Sequence, residues 1–191
     1  HRERQRDRRL REGLPIVALV GYTNTGKSSL LQALVNSDVF VADAPFATLD
    51  PLTRRLGGDG DNAVLITDTV GFMQKLPTEL TSAFQTTLEE LSNASLLIHV
   101  LDADSPVLES QERVVGKTLD NLGLGDIPTL TVINKIDMLF PKKDTMDHDI
   151  GKGEIARSTV MTELGLAEGF SDECLFVSAT ERWGISKLRK R

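Results

Sequence analysis

The segment from Ile16 to Val35 constrains this chain more than any other. Five apolar residues, Ile16 to Val20, run directly into Gly21-Tyr22-Thr23-Asn24-Thr25-Gly26-Lys27-Ser28, and Ser29 to Val35 continue as a helix. A strand that ends in a glycine-rich loop and restarts as a helix is the context a phosphate-binding loop requires. Gly21 and Gly26 allow backbone conformations closed to other residues. Successive N–H groups can therefore point inward at phosphates, and the following helix adds its positive end. Lys27 supplies a full charge and Ser28 a hydroxyl for Mg²⁺, a hard cation that takes oxygen ligands.

The rest of the chain continues the alternation. Strands are expected at Thr53 to Leu56, Ala63 to Thr67, Ser95 to Leu101, Thr129 to Ile133 and Leu175 to Val177, with helices at about Glu79 to Leu91, Leu108 to Leu122 and Gly153 to Leu164. Near-continuous apolar strands separated by helices predict an α/β fold, a mainly parallel sheet with helices on both faces. Ligands of such sheets sit at the carboxyl ends of the strands.

Three more motifs fall at such ends. Asn134-Lys135-Ile136-Asp137 follows the strand Thr129 to Ile133. A carboxylate only accepts hydrogen bonds, and guanine presents two adjacent donors, whereas adenine presents a lone pair and a hydrogen at that edge. A buried acceptor facing adenine would go unpartnered at about 1 to 3 kcal/mol or more. Asp137 therefore selects GTP and GDP over ATP. Asp68-Thr69-Val70-Gly71 gives a strand-end carboxylate to hold a metal-bound water and a Gly71 N–H to meet the terminal phosphate. Ser178-Ala179-Thr180 follows Leu175 to Val177, where a backbone N–H can meet the guanine carbonyl, with Asn134 and Lys135 packing around the base.

Charge is unevenly placed. Residues 1–11 carry six arginines against two acids, while the chain as a whole has a net charge of −6. We read 1–14 as a basic stem from a preceding domain and 15–191 as a nucleotide-binding domain cut within its last helix. The stem is read as a solvated helix or linker, with contact to RNA phosphates as the alternative. No apolar run reaches the ~18 residues of a membrane helix, so no integral membrane segment is expected. The single cysteine, Cys174, fits a buried structural position in a reducing compartment. His99 reads as a satisfied core or half-buried histidine of its strand rather than a catalytic one, and His148, within Asp144 to Asp149, as part of a solvated acidic loop rather than a metal cluster. Trp183 and the basic run Lys187 to Arg191 read either as a helix start or as a contact surface.

The chain resembles the HflX family of translation-factor-related GTPases over nearly its whole length. The resemblance is carried by Gly21 to Ser28, by Phe46-Ala47-Thr48-Leu49-Asp50-Pro51-Leu52-Thr53-Arg54-Arg55, by Thr67 to Phe72 with Leu76-Pro77, and by Thr87-Leu88-Glu89-Glu90. It implies a P-loop GTPase of Ras-like G-domain fold, GTP hydrolysis coupled to large ribosomal particles, and a cytoplasmic or organellar setting. Also by resemblance, Thr48 within Phe46 to Asp50 ligates Mg²⁺ with Ser28 and Asp68 and senses the terminal phosphate, and Lys27, Thr48 and Gly71 act in catalysis. Phe72 stands where Ras-like proteins carry the glutamine that orients attacking water. Slow intrinsic turnover, accelerated by a partner, is the expectation. Asn24 is read as a turn residue; it also resembles the asparagine of potassium-activated GTPases, which makes K⁺ a candidate cofactor. The alternatives to a hydrolysing switch are a GTP-gated binding module without catalysis and a related ribosome-assembly GTPase.

Overall fold

A computed structural model of the 191-residue chain describes residues 13–35, 52–57, 63–69, 91–140, 157–166 and 174–191. The arginine-rich stem, Phe46 to Asp50 with Thr48, Val70 to Phe72, most of the helix expected at Glu79 to Leu91, and the loop holding His148 lie outside these residues.

The strands are β1 (Ile16–Val20), β2 (Leu52–Leu56), β3 (Val64–Asp68), β4 (Leu96–Asp102), β5 (Thr129–Asn134) and β6 (Leu175–Phe176). They form one sheet in the order β2-β3-β1-β4-β5-β6. Every pairing is parallel except β2 with β3, which is antiparallel. The helices are α1 (Lys27–Val35), α2 (Leu108–Asn121), α3 (Arg157–Leu164) and α4 (Ile185–Leu188), with a 3₁₀ turn at Ile136–Leu139. Each expected strand is present within about a residue of its expected ends, and the helix expected at Gly153 to Leu164 is described from Arg157 onward, with residues 153–156 outside the described residues.

Alternation along the strands builds two layers of core. On one face Leu19, Ile98, Val100 and Val132 meet Leu30, Leu31 and Leu34 of α1 and Ile185 and Leu188 of α4. On the other, Ala18, Val20 and Leu97 meet Val115 and Leu119 of α2, and Leu101 and Ile133 meet Val160 of α3 with Cys174. Helices thus cover both faces, which is why the central strands carry apolar residues at nearly every position. Among the described residues, no helix is long and apolar enough to cross a membrane.

The reversal in strand order falls between β1 and its neighbours: β3 lies on one side and β4 on the other. That is the topological switch point at which open α/β sheets bind ligands. The loop from Gly21 to Gly26 leaves the end of β1 there.

Candidate functional site

The phosphate-binding loop is shaped by two close approaches. Gly21 has φ +148°, and a Cβ at that position would lie 2.3 Å from the Val100 carbonyl oxygen. Gly26 has φ +86°, and its Cβ would lie 2.4 Å from Asn134 Nδ2. Both positions require glycine because neighbouring strands press on the loop. Asn24, at φ +63°, takes the left-handed turn conformation that asparagine tolerates. Thr25 Oγ1 donates to the Tyr22 carbonyl at 3.1 Å and closes the loop on itself.

Lys27 opens α1 and folds back over the loop, its Nζ donating to the carbonyls of Gly21 (3.1 Å) and Tyr22 (2.6 Å). Burial pushes its ammonium down to about 8, with the Asp68 carboxylate opposing the shift. Among the described residues this buried cation is held by carbonyl dipoles near a carboxylate, an arrangement in which phosphate oxygens could take the place of the carbonyls. Ser28 Oγ donates to Asp68 Oδ2 at 2.5 Å, joining the start of α1 to the end of β3 across 40 residues. These two oxygen donors suit a hard cation such as Mg²⁺. Thr69 Oγ1 donates to the Leu19 carbonyl at 2.5 Å and ties the loop after β3 to β1.

The base side is built around Asn134, which is 1% exposed. Its Nδ2 donates to the Thr25 carbonyl and its Oδ1 accepts from the Ala179 N–H, both at 3.0 Å. One side chain therefore joins the phosphate loop, β5 and the turn after β6. The N–H of Ala179, one of the donors expected to meet the guanine carbonyl, is engaged by Asn134. Ser178 Oγ accepts from Glu181 N–H at 3.0 Å, and Ser178 bridges to Trp183 to close this turn. Ile136 N–H donates to the Val177 carbonyl at 3.3 Å, which draws Asp137 to the same edge. Asp137 Oδ1 is buried with no hydrogen-bond partner among the described residues. A buried carboxylate oxygen left open is costly unless a ligand supplies the donor.

Among the expected site residues, Gly21 to Ser29, Asp68, Thr69, Asn134 to Asp137 and Ser178 to Thr180 are thus described, and they line the carboxyl edge of β1, β3, β5 and β6. Phe46 to Asp50, Val70 and Gly71 lie outside the described residues. Two residues not anticipated also join the site. Asp102, at the end of β4, pairs with Lys135 Nζ at 2.8 Å. Its position at the carboxyl end of an apolar strand was a signal available in the sequence. Arg182 donates from Nη2 to the Ala33 carbonyl at 3.2 Å, fastening the turn after β6 to the last turn of α1; nothing local in the sequence marks that contact. His99 is 3% exposed with Nε2 unpartnered among the described residues. Burial first, and then the Lys27 charge, push its imidazolium down to about 4, so it is a neutral core residue, buried as expected but lacking among those residues the partner at Nε2 that a satisfied core histidine would have.

Residues 16–135 match the family model described as 50S ribosome-binding GTPase. The chain is 50% identical over 139 residues to GTPase HflX of Caldanaerobacter subterraneus subsp. tengcongensis, covering 73% of this chain and 32% of that protein. It is 42% identical over 148 residues to GTPase HflX of Escherichia coli, covering 78% of this chain and 35% of that protein. The chain thus spans about a third of the length of these relatives. In fold it is similar to a variant of Aquifex aeolicus Era bound to GDP·AlF4⁻, with TM-score 0.65, 23% identity, and coverage of 93% of this chain and 55% of that one. It is also similar to NFeoB from S. thermophilus bound to GDP·AlF4⁻ and K⁺, with TM-score 0.62, 21% identity, and coverage of 93% and 60%.

Proposed function

We propose that this chain, which belongs to the 50S ribosome-binding GTPase family in its HflX group, binds GTP and GDP at the carboxyl edge of its sheet and hydrolyses GTP to GDP and phosphate. The observation that carries the base assignment is Asp137 Oδ1, buried and without a partner among the described residues, three residues on from Asn134. Guanine's paired donors satisfy it; adenine leaves it open. Displacement of bound fluorescent GDP by unlabelled GDP but not by ATP supports this; equal displacement would reject it.

On the phosphate side, the loop N–H groups, the start of α1 and Lys27 hold the phosphate chain. Ser28 and Asp68, with Thr48 by resemblance, would hold Mg²⁺, which neutralises charge on the phosphate oxygens. The Gly71 N–H would meet the terminal phosphate, and Thr48 within Phe46 to Asp50 would loosen when that phosphate leaves. The nucleotide state would then govern association with the large ribosomal subunit.

Phe72 offers no donor or acceptor to attacking water, so intrinsic hydrolysis is slow and a ribosomal particle accelerates it. Single-turnover hydrolysis by the full-length protein, with and without 50S subunits, tests this; equal rates would reject partner activation. Asn24 in its left-handed turn is the residue that would face a K⁺ ion. Exchanging K⁺ for Na⁺ should then slow hydrolysis, and an unchanged rate would leave Asn24 as a turn residue only. Contact of the arginine-rich residues 1–11 with ribosomal RNA would appear as salt-dependent binding.

A further inference from the structure

We propose that Asp102 is a positioning residue of the base pocket, holding Lys135 as a fixed wall against which the guanine lies. The inference rests on the guanine assignment made above. Lys135 Nζ lies 2.8 Å from Asp102 Oδ2, and the two side chains are 28% and 18% exposed. The other carboxylate oxygen is also engaged: Asp102 Oδ1 accepts the Asp104 N–H at 3.0 Å. With both oxygens used, the carboxylate has one orientation.

The backbone reinforces the pair. Asp102 stands opposite Asn134 in the register of β4 and β5, and Ala103 N–H donates to the Asn134 carbonyl at 2.9 Å. Lys135 itself sits at φ +64°, ψ +28°, a left-handed conformation that lysine rarely adopts. Its Cε lies 3.9 Å from where a Gly26 Cβ would stand. The lysine stem therefore runs along the phosphate loop, with its ammonium anchored on β4. A lysine stem is flexible and its ammonium a mobile point charge, so without an anchor it would have to be ordered at each binding event. Prior ordering removes that cost from the binding step. Asp102 acts through Lys135, at the base end of the site.

A double-mutant cycle in the full-length protein tests this, using Asp102→Ala, Lys135→Met and both together, read by fluorescent GDP affinity and by KM and kcat for GTP hydrolysis. Asp102→Ala should weaken GDP binding about tenfold, the scale of one charge-assisted hydrogen bond, and raise KM for GTP by more than it changes kcat. In the Lys135→Met background the same substitution should have no further effect. Should Asp102→Ala not fold by circular dichroism, Asp102→Asn retains the shape and the acceptor for Asp104, and its smaller loss of affinity should likewise vanish in the Lys135→Met background. Wild-type affinity in the Asp102 variants, or the same loss in both backgrounds, would overturn the inference. A wild-type protein that does not prefer GDP over ADP would overturn the guanine assignment and this inference with it.

Discussion

Replacing Asn134 by alanine removes the side chain that joins three parts of the site. Two buried groups lose their partners at once: the carbonyl of Thr25, itself 1% exposed, and the N–H of Ala179, 8% exposed. Leaving one buried donor or acceptor unsatisfied costs about 1 to 3 kcal/mol, so the pair costs about 2 to 6 kcal/mol. Water entering the space vacated by the amide would bring the cost toward the lower end. Against the roughly 5 to 15 kcal/mol stability of an ordinary domain, that is a large fraction. Urea unfolding of wild type and Asn134→Ala, without nucleotide, should show a lower midpoint at unchanged slope. The same variant should bind GDP weakly, because the phosphate loop and the turn after β6 are no longer held together. A variant whose stability stays within about 0.5 kcal/mol of wild type, the scatter of an ordinary surface substitution, would refute the view that Asn134 organises the pocket.

The remaining expectations concern single groups. Asp137→Asn replaces an acceptor-only group by one with a donor, so GDP affinity should fall by about 1 to 3 kcal/mol in a direct binding assay, with preference moving toward xanthine, whose carbonyl replaces guanine's amine. Gly26→Ala places a Cβ against Asn134 Nδ2 at a positive φ and should abolish detectable GDP binding by calorimetry. For His99, the folded imidazole is pushed down to about 4 from an ordinary 6.5, so as pH falls through 6.5 the unfolded chain binds the proton first. Stability should therefore drop between about pH 6.5 and 4, and the drop should be about 3 kcal/mol smaller in His99→Leu, measured by urea unfolding at pH 7 and pH 4.

Much of the fold was legible because its determinants are local. Ile16 to Val20 could be read as a buried strand from its apolar run, and Gly21 and Gly26 as loop positions from their residue type. The helix Leu108–Asn121 carries its apolar residues at helical spacing, and Leu108, Val115 and Leu119 are the residues it buries. Boundaries were less legible: β3 and β4 each run one residue further than expected, to Asp68 and Asp102. Those added residues are the carboxylates of the site, polar at strand ends, where hydropathy stops being informative and the sheet's hydrogen bonds still continue.

By itself, then, the sequence determined which chemical groups are present and the local backbone that presents them: a glycine-rich turn, a cation, a hydroxyl, carboxylates at strand ends and an acceptor for guanine. Tertiary structure decided which of these groups meet. Thr25 and Asn134 are 109 residues apart, and they touch because β4 alone separates β1 from β5. Asp102 reaches Lys135 because β4 and β5 are parallel and in register at their ends. Arg182 reaches Ala33, 149 residues away, because α1 and the turn after β6 share one face of the sheet. Residue type and local periodicity set backbone conformation through sterics within a few residues. Contacts across the site depend on strand order and register, which are properties of the whole packed sheet.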